Sequence, residues 1–233
     1  MKEISLIFPA KNEEKNLGRV LAEYHNFFAK KFKNFEFIIV TSDCKDKTPE
    51  IADKISKKFN ETVHLRLSAD HKGKGDAVIF GLKRANGVLI GFVDADGSIS
   101  PEEFYKLFRY MNSNDCVIGS RATKDSKIIV SQPFFRIALG KIFSLLVNCL
   151  FGLGISDMQC GAKLFQRESL APVLPNFKST GWEFDVELLW KLKKNRKKIS
   201  EIGIRWANSR DSNMKITDPL RMLMAIIKIR FLS

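Results

Sequence analysis

Cysteine is scarce in this chain, and its four copies are scattered. Cys44, Cys116, Cys149 and Cys160 form no C-x-x-C pair and share no metal-ligand spacing with a histidine. That excludes a cysteine-based metal site or dithiol centre, and reduced, cytosolic-type thiols are expected. The Walker spacing G-x-x-x-x-G-K-[ST] is absent, which argues against a kinase or ATPase. Zinc-finger spacing and RNA-binding motifs with interleaved aromatics are absent too, so nucleic acid is not an expected partner. The first residues hold no apolar stretch long enough for a signal peptide. Residues 142–155 carry no charge, yet they fall short of the roughly 17–25 residues a membrane-spanning helix needs. Internal repeats and low-complexity linkers are missing, so one large domain, with or without an appendage, is expected.

Acidic residues are the minority charge. Lys and Arg number 39 against 26 Asp and Glu, a net charge of +13 that draws a chain toward anionic lipid or phosphorylated substrates. For Lys30-Lys31 and residues 193–198 a solvated surface is the preferred reading.

The first ~125 residues alternate strand and helix. Strands are expected at 3–8, 35–41, 62–67, 88–93 and 116–120, and helices at 16–31, 49–59, 75–85 and 100–111. Ser100 and Glu103 have capping-box spacing. Repeated β-α-β units imply an α/β fold with a mostly parallel central sheet flanked by helices. The second half differs. Residues 133–151 read as a long apolar helix, either buried in the core or lying in a membrane interface. Near the C-terminus Leu220, Leu223, Met224 and Ile227 follow helical spacing beside Arg221, Lys228 and Arg230. That makes a basic amphipathic helix able to dock on the domain or on an anionic membrane.

Asp94-Ala95-Asp96 follows the apolar run 88–93, where a strand meets its loop. Ligands of open α/β sheets bind at that edge. Two carboxylates there suit Mg²⁺ or Mn²⁺, hard ions that share oxygen ligands with phosphates; an Asp-rich turn without metal is the alternative. Three more polar segments fall at strand ends: Pro9-Ala10-Lys11-Asn12-Glu13-Glu14, residues 42–48, and Lys72-Gly73-Lys74-Gly75. The last suits an anion at a helix N-terminus, or a plain turn.

Taken in order, PAKNEE, SDCKDKTPEIA, KGKGDAVIFGLKRANG, DADG and GSR resemble glycosyltransferase family two, the inverting enzymes of GT-A fold. DMQCGAKLF and WEFDVELL sharpen this toward the polyprenyl-phosphate glycosyltransferases, and within them the dolichyl-phosphate glucosyltransferase group. The resemblance covers nearly the whole chain. It implies a GT-A (nucleotide-diphospho-sugar transferase) domain over 1–233, with a nucleotide-sugar half at 1–125 and an acceptor half at 126–217. Amphipathic interface helices would lie at 133–151 and 218–233. The implied reaction moves a sugar from a nucleotide-diphosphate sugar, UDP-glucose favoured over GDP-mannose, to dolichyl or polyprenyl phosphate with inversion.

Roles implied by the resemblance follow. Asp94 and Asp96 would hold the Mg²⁺ or Mn²⁺, flanked by Ala95 and assisted by Ser98. Pro9, Ala10, Glu13, Asp43, Lys74 and Gln159 would bind the donor. Arg121 and Arg136 would grip the acceptor phosphate. Asp157 and Asp185 would line the sugar–acceptor site, Asp185 alternatively being a buried packing carboxylate; Trp182 and Phe184 read as core. The chain departs from the family at Thr41-Ser42-Asp43, where leading carboxylates are usual. It departs again at Ser212-Asn213, where a Ser-Lys pair is usual, with Arg210 or Lys215 as substitutes. With no transmembrane segment in view, a peripheral enzyme on the cytoplasmic face of an anionic membrane is expected. Two other classes stay open: a nucleotidyltransferase, which PAKNEE fits poorly, and a non-enzymatic basic module binding anions or lipid.

Overall fold

The computed structural model describes residues 2–68, 70, 73–130, 134–207 and 218–232, with the backbone alone at 134–136, 218–220 and 232. The first half runs β1 (Lys2–Ala10), α1 (Leu17–Phe28), β2 (Phe35–Thr41), α2 (Thr48–Lys58), β3 (Thr62–Arg66), α3 (Lys74–Leu82) and β4 (Gly87–Val93). Then come α4 (Pro101–Tyr105), a 3-10 segment (Lys106–Ser113), β5 (Cys116–Ser120), β6 (Lys127–Val130) and α5 (Phe134–Phe151). The chain closes with β7 (Ala162–Gln166), α6 (Arg167–Leu170), α7 (Phe184–Lys194), β8 (Ile199–Gly203), β9 (Arg205–Ala207) and α8 (Asp218–Leu232).

The seven-stranded sheet has the order β3-β2-β1-β4-β7-β5-β8. β1, β2, β3 and β4 are mutually parallel, as are β5 and β8; β7 alone runs antiparallel, between β4 and β5. The chain leaves β1 toward β2 and β3 and returns on the other side as β4, so a topological switch point lies between β1 and β4. β2 is buried along its whole length, which is why it reads as an unbroken apolar run. Alternate residues feed two cores. Phe8 and Phe37 meet Tyr24, Phe28 and Phe104 beneath α1 and α4. On the other face Ile7, Val40 and Phe92 meet Val78, Phe184 and Leu188 beneath α3 and α7.

Local geometry corrects several expectations. The helix begun at Ser100 ends as α-helix at Tyr105 and tightens to 3-10. Ser100 caps it, accepting from the Glu103 N–H, but the reciprocal half of the box is missing. The Glu103 carboxylate accepts instead from Lys106 and from the Arg205 N–H, a contact made across the fold. On α8 the docked face is Met222, Ile226 and Ile229, whereas Met224 and Ile227 of the expected face stand exposed. The helix is apolar on two sides, and packing against α5 and α7 selects one of them. α5 is likewise divided: Val147 and Phe151 are buried, while Leu139, Ile142, Leu145 and Leu146 are exposed. Lys193 is not simply solvated, since its ammonium donates to the Gly152 and Leu153 carbonyls beyond α5. Among the described residues no helix is long and apolar enough to cross a membrane. All four cysteines are unpaired.

Candidate active site

The ends of β1, β2 and β4 bring the motifs together at the switch point. The first two loops are laced to each other. Lys11 Nζ donates to Asp43 at 2.8 Å, Lys45 N–H to Asn12 at 2.8 Å, Glu14 N–H to Asp46 at 3.1 Å, and Glu13 N–H to Thr48 Oγ1 at 2.7 Å. Asn12 and Asp43 both take left-handed backbone, with φ of 56° and 46°, which Asn and Asp tolerate better than most residues. Glu13, expected at the donor, is buried and accepts from Asn16 Nδ2 at 2.9 Å. Pro9 and Ala10 are the last residues of β1, in register with Val40 and Thr41.

At the missing carboxylates of the second loop another arrangement stands. Thr41 Oγ1 is 2.8 Å from His64 Nε2, and His64 Nδ1 is 2.6 Å from Asp53. His64 and Arg66 together hold the Asp53 carboxyl below its ordinary range, His64 contributing more.

Asp94 leaves β4 with its N–H on the Gly161 carbonyl at 3.0 Å, and its carboxylate rests on Gly161 itself. A Cβ at Gly161 would sit 1.9 Å from Asp94 Oδ2, so any larger residue there would push the carboxylate out of this position. Asp94 Oδ1 is paired with Lys74 Nζ at 2.6 Å. Ala95 is buried. Asp96 takes both donors of Ser98, the N–H at 2.9 Å and the hydroxyl at 2.8 Å. Burial and then the neighbouring Asp94 raise the Asp96 pKa, so a cation between the two carboxylates would relieve a standing repulsion. Among the described residues no cluster of three or more His, Cys, Asp or Glu side chains forms a metal cage. Two carboxylates alone fit an ion that takes its remaining oxygens from phosphate and water, the habit of Mg²⁺ and Mn²⁺.

Lys74 is held from behind. Gly73 and Gly75 lie against Thr180 and Gly181, where a Cβ on Gly73 would fall 1.6 Å from the Thr180 carbonyl oxygen. The Gly75 and Asp76 N–H groups donate to the Gly181 and Thr180 carbonyls, both at 3.2 Å. This departs from the expected anion cradle, because protein carbonyls already occupy those first amides of α3. The Lys74 ammonium lies over the Trp182 ring, 5.0 Å from its centre. Trp182 is thus half-buried at the site, while Phe184 is core. Gln159 Nε2 reaches the Trp182 carbonyl at 3.4 Å.

Arg121 and Asp157 form a bidentate pair, with Nε and Nη2 each 2.7 Å from a carboxylate oxygen. The Arg121 N–H adds a third bond at 2.9 Å, and Trp206 lies beneath the guanidinium. Burial pushes the Asp157 pKa up, but Arg121 more than offsets it, and the net shift is downward. The Glu201 carboxylate fixes this loop by accepting from the Ser156 and Asp157 N–H groups. Asp185 is sealed against Lys163 at 2.5 Å, and Lys163 also donates to the Cys160 carbonyl. Lys163, Glu201, Trp206 and His64 escaped the sequence reading. Lys163 alone left a signal, a charge inside an apolar strand that requires a buried carboxylate. The Arg136 side chain and residues 209–215 lie outside the described residues.

Residues 5–174 match the family described as Glycosyl transferase family 2. The chain is 32% identical to the dolichyl-phosphate beta-glucosyltransferase of Homo sapiens, over 91% of this chain and 70% of that protein. It is 32% identical to the Dictyostelium discoideum protein of the same name, over 98% of this chain and 74% of that one. Among solved structures it resembles Mycobacterium tuberculosis glucosyl-3-phosphoglycerate synthase, crystallised with Mn²⁺ and uridine-diphosphate-glucose. The TM-score is 0.71 at 19% identity, covering 98% of this chain and 79% of that one. The shared architecture is the GT-A fold.

Proposed function

Because the chain belongs to glycosyl transferase family 2, we infer that it transfers glucose from UDP-glucose to dolichyl phosphate, with inversion at the anomeric carbon. One observation carries the reading: paired carboxylates at the sheet's switch point, in a chain a third identical to glucosyltransferases of that name along most of its length. Asp94 and Asp96 hold Mg²⁺ or Mn²⁺, which neutralises the leaving diphosphate when bound. Ser98 orients Asp96 for this, and Gly161 lets Asp94 lie flat against the backbone. The first loop and Asp43 border the nucleotide, with Lys74 and Gln159 toward the diphosphate and sugar.

The acceptor phosphate is already an anion near neutral pH, so its attack needs little or no general base. The task of the protein is alignment and charge neutralisation. Arg121, preset by Asp157, and Arg136 grip the acceptor phosphate; a guanidinium has five N–H donors, and Asp157 takes two of those of Arg121. The acceptor lipid and the outward apolar faces of α5 and α8 belong to one surface. Leu145 and Phe231 are 65% and 68% exposed, and Lys141, Arg221, Lys228 and Arg230 supply positive charge beside them. The chain works at the cytoplasmic face of an anionic membrane.

The test is label transfer. Purified protein with dolichyl phosphate and Mg²⁺ or Mn²⁺ is offered radiolabelled UDP-glucose or GDP-mannose separately, and label in the organic phase is counted. Metal-dependent label from UDP-glucose, abolished in Asp94→Ala and Asp96→Ala, is expected. Label from GDP-mannose alone would overturn the donor, and none from either would overturn the reaction.

A further inference from the structure

We propose that Lys74 is the built-in counter-ion of the carboxylate pair. It neutralises Asp94 while the donor is away and crosses to the donor diphosphate when a divalent cation takes the carboxylates. Cation and nucleotide therefore bind weakly apart and strongly together. The proposal rests on the reading of Asp94 and Asp96 as metal ligands.

Three features of the site support it. Lys74 pairs with Asp94 at 2.6 Å, with only 12% of the lysine side chain exposed. Asp185 is no alternative seat, being closed by Lys163. Second, a divalent ion bound between Asp94 and Asp96 would stand within a few ångströms of that ammonium, at a distance where like charges in a partly desolvated site repel strongly. The two cations need an anion between them. Third, the Lys74 backbone cannot give way. Gly73 and Gly75 are wedged against Thr180 and Gly181, so exchange falls to the flexible side chain, which pivots over Trp182. The Gly75 and Asp76 amides of α3 are already bonded to protein carbonyls, so the Lys74 ammonium is the charged group this loop offers an anion.

A diphosphate answers each requirement at once. It ligates the ion, accepts from the ammonium, and removes the repulsion between them. Linkage makes the effect reciprocal: whatever factor the nucleotide gives to the metal, the metal gives to the nucleotide.

The experiment measures free Mn²⁺ by electron paramagnetic resonance during titration of the full chain, with and without UDP. In wild type, UDP is expected to tighten Mn²⁺ binding by at least about tenfold. In Lys74→Met, Mn²⁺ alone binds about tenfold tighter than in wild type, and the gain from UDP shrinks toward unity. Lys74→Arg, which keeps the charge, retains the wild-type pattern, and circular dichroism checks that each variant is folded. Unchanged or weaker Mn²⁺ binding by folded Lys74→Met, with the gain from UDP intact, would overturn the proposal and leave the metal reading standing. Mn²⁺ binding that survives Asp94→Asn and Asp96→Asn unaltered, or that is missing in wild type even with UDP, would overturn both.

Discussion

At the carboxyl edge of the sheet, Asp94, Asp96, Arg121, Asp157 and Asp185 each meet a partner supplied by the chain. Along α5 and α8, by contrast, Leu139, Ile142, Leu145, Met224, Ile227 and Phe231 stand in solvent. The two regions lie on one domain and are composed differently for a physical reason. A buried charge without a partner is among the most destabilising features a fold can carry, so the edge completes itself. An exposed leucine costs the fold little, so an apolar face can wait for a surface that arrives from outside. The edge is stabilised by what it contains, whereas the outer face leaves its apolar side chains in solvent.

The sharpest way to break this comparison is to unpair the edge. Asp185→Asn leaves the Lys163 ammonium buried without a countercharge and is expected to destabilise the fold by about 3–5 kcal/mol in urea unfolding. Lys163→Met with Asp185→Leu, which removes both charges, should recover much of that loss. If the single change were harmless, the pair would not be sealed as described. On the outer face the expectation reverses. Leu145→Glu and Phe231→Glu should leave the unfolding midpoint and the Mn²⁺–UDP affinity unmoved. Each should weaken sedimentation with anionic vesicles by about 1.5–3 kcal/mol, the worth of one large apolar side chain. A drop in folding stability instead would mean that these side chains are core.

The smallest effect concerns acid. The Asp157 carboxyl is held below its ordinary range, so its contribution to stability is fully present above about pH 4. That contribution is lost as pH falls through the lower folded value. Asp157→Asn should flatten this part of the acid limb in a plot of unfolding free energy against pH, while other depressed carboxyls such as Asp46 and Asp115 keep theirs.

What the sequence disclosed follows the same division between local and distant causes. β2 and β5 lie where their apolar runs end, because a strand buried on both faces writes itself continuously. The Asp94–Asp96 motif was legible for the same reason: it closes such a run. The Ser100 cap was local and was read; the diversion of Glu103 to Arg205 depends on β9 and was not legible. Periodicity on α8 named an apolar face but could not say which of its two apolar sides would dock. The contacts of Lys74 with Asp94 and of Lys163 with Asp185 join residues about 20 positions apart across three elements, a relation that no spacing rule expresses.

The antiparallel strand β7 carries a consequence for how the protein is born. β4 has no native neighbour on one side until Ala162–Gln166 has been made, although β4 itself ends at Val93. Ribosomes add roughly 5–20 residues per second, so the wait lasts on the order of several seconds. Throughout it, the nascent chain carries an apolar strand edge facing an empty place. That edge is the part of the nascent sheet most open to mispairing, and the translation of residues 94–166 sets how long it stays open.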